Sequence, residues 1–100
     1  MSAHKVTVVV PCYNGGRFFD QMFECLDRQI FRDFEVILVD DGSIDLDTKA
    51  RLEDLPSGVK LIRQENAGLP AARNTGIRAA TSEFILPLDC DDMIESGFLE

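Results

Sequence analysis

Three carboxylates fall within four positions in "LDCDD", residues 88–92. Asp89, Asp91 and Asp92 repel one another at neutral pH, so the cluster is either a solvated turn or a place that holds a cation. Carboxylate oxygens are hard ligands suited to magnesium or manganese, and one divalent ion held by a few of them keeps positions open for phosphate oxygens. Alternation along a strand puts Asp89 and Asp91 on one side and turns Cys90 away. The run ahead of them, "EFILPL", is mostly apolar. That placement favours the end of a buried strand over a solvated turn.

Two further polar segments can act with this cluster. "PCYNGG", residues 11–16, supplies Tyr13, whose ring can cover a nucleobase, while Gly15 and Gly16 permit close backbone approach. In "DDGS", residues 40–43, Asp40 or Asp41 can accept hydrogen bonds from a base or ribose, and Gly42 can turn at positive φ. An Asx-type turn leading into the next helix is the plainer alternative there. "NAGLPAARNTGI", residues 66–77, sets Arg73 and Asn74 in an Ala-rich helix. Arg73 either pairs with a site carboxylate or a diphosphate, or lies on the surface with a solvated head. No GxGxxG fingerprint and no phosphate-loop lysine is present, which disfavours a dinucleotide or ATP-hydrolysis site.

The elements that must position these residues alternate along the chain. Residues 5–10 ("KVTVVV"), 34–40 ("FEVILVD"), 59–64 ("VKLIRQ") and 83–89 ("EFILPLD") have the short, β-branched, two-sided apolar character of buried parallel strands. Between them, Phe18, Phe19, Met22, Phe23, Leu26 and Ile30 recur at helical spacing. Asp45 or Asp47 caps a second helix running towards Leu55, and Pro70 suits the first turn of a third helix through Ala80. "IESGFLE" can begin a fourth. This β-α alternation predicts a three-layer α/β/α, Rossmann-like parallel sheet, and right-handed crossovers give the strand order 3-2-1-4. Pro87 cannot donate to a central ladder, so it predicts a bulge or a strand at the edge. In such sheets ligands bind beyond the carboxyl ends of the strands where strand order reverses, here between strands one and four. "PCYNGG", "DDGS" and "DCDD" all fall on that edge.

Composition narrows the partners. One hundred residues make about one domain, and a net charge of −8 with scattered basic residues argues against nucleic acid and against an anionic membrane surface. A metal ion can still bridge an acidic protein and a phosphorylated ligand. Three cysteines without CxxC spacing and a single His speak for a reducing compartment, with neither a disulfide framework nor a zinc site. No apolar run approaches the roughly 20 residues that span a bilayer. A cytoplasmic location, or the cytoplasmic face of a membrane, is the expectation. The sequence stops just after its densest polar cluster, so it is expected to be part of a longer enzyme.

Taken in order, "VVVPCYN", "FEVILVDDGS", "NAGLPAARNTGI" and "EFILPLDCDD" resemble the family 2 glycosyltransferases of GT-A fold, over residues 6–92. The resemblance implies metal-dependent transfer of a sugar from a nucleotide-diphosphate donor, commonly UDP-linked, with inversion. It implies cell-envelope polysaccharide chemistry and a saccharide or lipid-linked acceptor. Carried over by residue, Pro11 and Tyr13 border the base and Asp41 binds it. Asp89 holds the ribose side, and Asp91, with Asp89 or Asp92 beside it, ligates Mn²⁺ or Mg²⁺. The catalytic base and acceptor site belong to a half that follows, so residues 1–100 are expected to be the truncated, donor-binding half. Two other classes compete: a receiver-type signalling domain and a non-catalytic α/β interaction domain. Receiver domains carry an acidic pair after their first strand, where this chain has "PCYN".

Overall fold

The computed structural model of the chain describes residues 5–28, 34–56 and 58–88. The elements are β1 (Val6–Cys12), a single 3-10 turn (Gly16–Phe18), α1 (Phe19–Asp27), β2 (Phe34–Asp41), α2 (Leu46–Leu52), β3 (Val59–Gln64), α3 (Leu69–Ala79) and β4 (Phe84–Pro87). All pairings are parallel, as the alternation requires, and the order is β3-β2-β1-β4, the one expected from right-handed crossovers. The expected helix in "IESGFLE" and Ile30 of the first helical stripe lie outside the described residues.

Alternation along the two central strands builds the three layers. Val8, Val10, Cys12, Val36 and Leu38 face Phe19, Met22 and Leu26 of α1 and Leu52 of α2. Ile37 and Val39 face the other way, against Ala72 of α3. Each fully buried Val, Leu, Ile, Phe or Met contributes about 1.5–3 kcal/mol, so this two-sided centre supplies most of the hydrophobic stabilisation. At the amino edge the buried Thr7 hydroxyl donates to Glu35 Oε1 at 2.9 Å and lies 2.5 Å from Ser82 Oγ, linking β1, β2 and the approach to β4.

The sequence-based boundaries shift in physically sensible ways. β1 continues through Pro11 and Cys12, two residues beyond the apolar run. β4 pairs with β1 only from Phe84 to Pro87, opposite Val6 to Val9. Leu88 N–H donates to Val9 O, so even-numbered β4 residues point their backbone groups at β1 and Pro87 points its missing donor at the open edge. Pro87 therefore marks an edge strand among the described residues, not a bulge. Of the two candidate caps, Asp45 is the N-cap of α2, accepting from Thr48 N–H at 3.0 Å. Asp47 pairs with Arg51 one turn on.

A small-residue face lets α3 sit close to the sheet. A Cβ on Gly76 would fall 2.3 Å from Val9 Cγ1 and 3.2 Å from Val39 Cγ2. Gly76→Ala must push the helix off β1 and is expected to destabilise by about 1–3 kcal/mol in a urea or thermal melt, despite alanine's better helix propensity. A variant as stable as the wild type would mean that α3 does not rest on Val9.

Candidate ligand site at the carboxyl edge of the sheet

Adjacent acids at the end of β2 serve opposite faces. Asp40 follows Val36 and Leu38 on the α1–α2 side, and Asp41 follows Ile37 and Val39 on the α3 side. Both are buried, Asp41 to 1% exposure. Asp40 Oδ1 accepts from Ser43 N–H at 3.1 Å, which closes the turn after the strand. Asp41 reaches across the sheet instead. Its Oδ1 accepts from Gln64 Nε2 and from Ala67 N–H, both at 2.9 Å. Its Oδ2 accepts from Gly68 N–H at 2.9 Å and from Asn66 Nδ2 at 3.3 Å, and Asn66 Nδ2 also lies 3.0 Å from the Asp41 carbonyl oxygen. An ionised carboxylate offers about four lone-pair sites, and four donors fill them.

Burial pushes the Asp41 carboxyl up, but the Gln64 amide and the backbone N–H groups of Ala67 and Gly68 together outweigh it and hold the group below the ordinary aspartate value. The loop can deliver those N–H groups because Gly68 takes a φ of +99° and Gly42 a φ of +73°. A Cβ on Gly42 would lie 2.8 Å from Asn66 N, so the two loops touch backbone to backbone.

The loop after β1 is tied to the same edge. Asn14 adopts φ +53°, and its Oδ1 accepts from Ile44 N–H and Asp45 N–H, both at 2.9 Å. Asn14 N–H donates to Ser43 Oγ at 2.9 Å. Gly16 N–H donates to Thr48 Oγ1 at 2.9 Å, and that hydroxyl donates to Asp45 Oδ2 at 2.8 Å. Pro11 is buried beneath this junction and Tyr13 stands at 40% exposure beside it. The fold thus brings Pro11, Tyr13, Asp40 and Asp41 to one edge. Asp89, Asp91 and Asp92 lie outside the described residues. Among the described residues, no three His, Cys, Asp or Glu side chains gather as a metal site. Arg73 is half-buried on α3 and is not one of the donors on Asp41. A pairing of Arg73 with a carboxylate after β4 would also involve residues outside the described set.

No role for Gln64, Asn66, Ala67 or Gly68 at Asp41, or for Asn14 as the stitch between loops, was legible in the sequence. Glycine at Gly68 and asparagine at Asn14, two residue types that tolerate positive φ, were the only local signals. A cavity of about 530 Å³ opens between α1 and the first residues of β2 and β3, lined by Phe23, Leu26, Phe34, Pro56 and Val59. It lies away from Asp41 and Asn14.

The class defined by this fold and edge is the open parallel α/β domain that receives a ligand beyond its strand ends. A family model described as glycosyl transferase family 2 matches residues 7–100, and the chain belongs to that family. It is 35% identical over 98 residues to glycosyltransferase GlyA of Streptococcus pneumoniae, covering 96% of this chain and 14% of that protein. It is 35% identical over 99 residues to the cholesterol galactosyltransferase of Borreliella burgdorferi, covering 97% of this chain and 28% of that protein. The crystal structure of S. aureus TarS in complex with UDP superposes with a TM-score of 0.84 at 33% identity, over 95% of this chain and 30% of that one. The mannosyltransferase PcManGT of Pyrobaculum calidifontis, in complex with GDP-Man and Mn²⁺, gives 0.76 at 28% identity, over 93% of this chain and 29% of that one. The chain spans less than a third of the length of each of these proteins. Among the described residues no helix is long and apolar enough to cross a membrane.

Asp41→Asn turns an amide against donors that need an anion, and is expected to cost about 2 kcal/mol or more at neutral pH. The folded carboxyl titrates below its unfolded value of about 3.9. Its contribution is therefore complete above that value and is lost as the pH falls through the folded one. The stability gap between wild type and Asp41→Asn should be flat from about pH 5 to 8 and close below about pH 4. A gap that persists unchanged to about pH 2 would show that the charge on Asp41 is not its source.

Proposed function

We propose that this chain binds the nucleotide-diphosphate sugar donor, with UDP as the nucleotide, for a glycosyltransferase whose acceptor site and general base lie in another part of the protein. The observation that carries this is Asp41: an ionised, buried acceptor at the carboxyl edge of the sheet, surrounded by loops tied to one another. Family membership and likeness to a UDP complex support the donor class.

In this reading Pro11 and Tyr13 border the base, the aromatic ring covering its face. Asp41 accepts an N–H from the base edge. Asn66 is exposed and makes the longest of the four contacts, at 3.3 Å, so it is the donor that a base N–H replaces. Its amide keeps the Asp41 carbonyl oxygen at 3.0 Å. One donor is exchanged for another, so the carboxylate never pays a desolvation cost without compensation. Asp89 holds the ribose side of the donor.

The carboxylates after β4 are hard oxygen ligands, a donor set that fits Mn²⁺ or Mg²⁺, with Asp91 as ligand and Asp89 or Asp92 beside it. When bound, such an ion supplies charge stabilisation for the departing nucleoside diphosphate. Acidic residues that repel an anionic ligand become its anchor through that ion, which accounts for an acidic chain taking an acidic substrate. The sugar passes to a saccharide or lipid-linked acceptor hydroxyl with inversion, and the acceptor is reached from the cytoplasmic side.

A ligand at 100 times its Kd stabilises the folded state by about 2.7 kcal/mol. UDP with Mn²⁺ is expected to raise the Tm of the intact protein by several degrees, with little rise for UDP in EDTA. Asp91→Ala should remove the metal-dependent part while leaving the unliganded Tm near wild type. A wild-type Tm indifferent to millimolar UDP with either cation would contradict the donor assignment.

A further inference from the structure

The two oxygens of Asp41 are not held alike. Oδ2 has one backbone donor and the exposed Asn66 at 3.3 Å. Oδ1 has Ala67 N–H and Gln64 Nε2, both at 2.9 Å, and Gln64 is itself held from behind. Thr75 Oγ1, on α3, lies 2.6 Å from Gln64 Oε1. The polarity of this relay is forced by chemistry. An ionised carboxylate can only accept, so Gln64 must present its NH₂ to Asp41. Its carbonyl then faces Thr75, whose hydroxyl must donate. The Ala71 carbonyl, 3.0 Å from the same hydroxyl, competes for that hydrogen at the longer distance.

We propose that Gln64 and Thr75 are positioning residues for the donor site: they lock Oδ1 of Asp41 and so leave Oδ2 as the oxygen that receives a ligand N–H. The relay runs from α3 through β3 to the end of β2, so the seat of α3 on the sheet and the aim of the Asp41 carboxylate are set together. This rests on the donor-binding reading above, and adds to it which side chains make Asp41 an aimed acceptor instead of a merely buried one.

Gln64→Glu keeps the side-chain shape and replaces the donor by an acceptor. Thr75→Val keeps the shape and removes the hydroxyl, and Thr75→Ser restores it. Two readouts are taken on the intact protein: hydrogen exchange at the amides of Ala67 and Gly68 without nucleotide, and UDP affinity by titration in Mn²⁺. Gln64→Glu and Thr75→Val should each speed exchange at those two amides and weaken UDP by about tenfold or more, with Thr75→Ser close to wild type in both. Exchange at Val9 and Leu38 should stay slow, since a general loss of stability would raise it there too. Wild-type UDP affinity in Gln64→Glu and Thr75→Val would overturn the proposal, as would an exchange increase spread equally over the core. Exchange is read without nucleotide. A wild type that ignores UDP would therefore sink the donor reading, while the amides of Ala67 and Gly68 would still decide whether Gln64 and Thr75 hold Asp41.

Discussion

A charged carboxylate with 1% exposure is tolerable only if something replaces the water it has lost, and at Asp41 the replacement comes from the chain itself. Gln64, Asn66, Ala67 and Gly68 converge on it from the end of β3 and the loop that follows. That loop leads directly into α3 at Leu69. The start of the helix is thereby fixed by a charge on a neighbouring strand, and the helix in turn packs its small residues on β1 and β2. Remove the charge and the donors lose their common target. The carboxyl edge and the α3 layer share one constraint.

The second loop system makes that edge a built surface. Asn14 accepts from two backbone amides after β2, and Ser43 accepts from Asn14 while donating its own N–H to Asp40. Two loops from neighbouring strands thus hold each other, so Tyr13 is carried on a supported turn at the side of the site. Rigid placement of polar groups costs little reorganisation when a ligand arrives, which is what a binding edge requires. The cavity of about 530 Å³ at the amino edge is lined by Glu24, Asp27 and Glu35 as well as by apolar side chains, and among the described residues these acids do not gather as a metal site.

Much of the fold was legible because its causes are local. Short β-branched runs separated by helical stripes gave the four strands, and handedness gave their order. Pro87 announced either a bulge or an edge, and among the described residues β4 is the edge strand. The choice between Asp45 and Asp47 as cap was not legible, since either carboxylate can cap and only the backbone path decides. At the site, Asp41 was visible as an acidic residue in a turn, but its partners lie 23 to 27 residues away and two of them use backbone N–H groups. Backbone donors carry no side-chain signature. Gln64 read as the last residue of an edge strand, and its partnership with Thr75 depends on the packing of α3 beside β3. The acidic cluster that first draws attention, Asp89 to Asp92, owes its reading to sequence and family alone.

The most direct measurement is a titration of the intact protein with UDP in Mn²⁺, followed residue by residue through backbone amide chemical shifts. The expected result is saturable change concentrated at residues 12–16, 40–43 and 64–68, with Gly68 among the largest, and quiet amides at Phe23, Phe34 and Val59. Changes confined to those last residues, or none at any concentration, would contradict a donor site organised around Asp41.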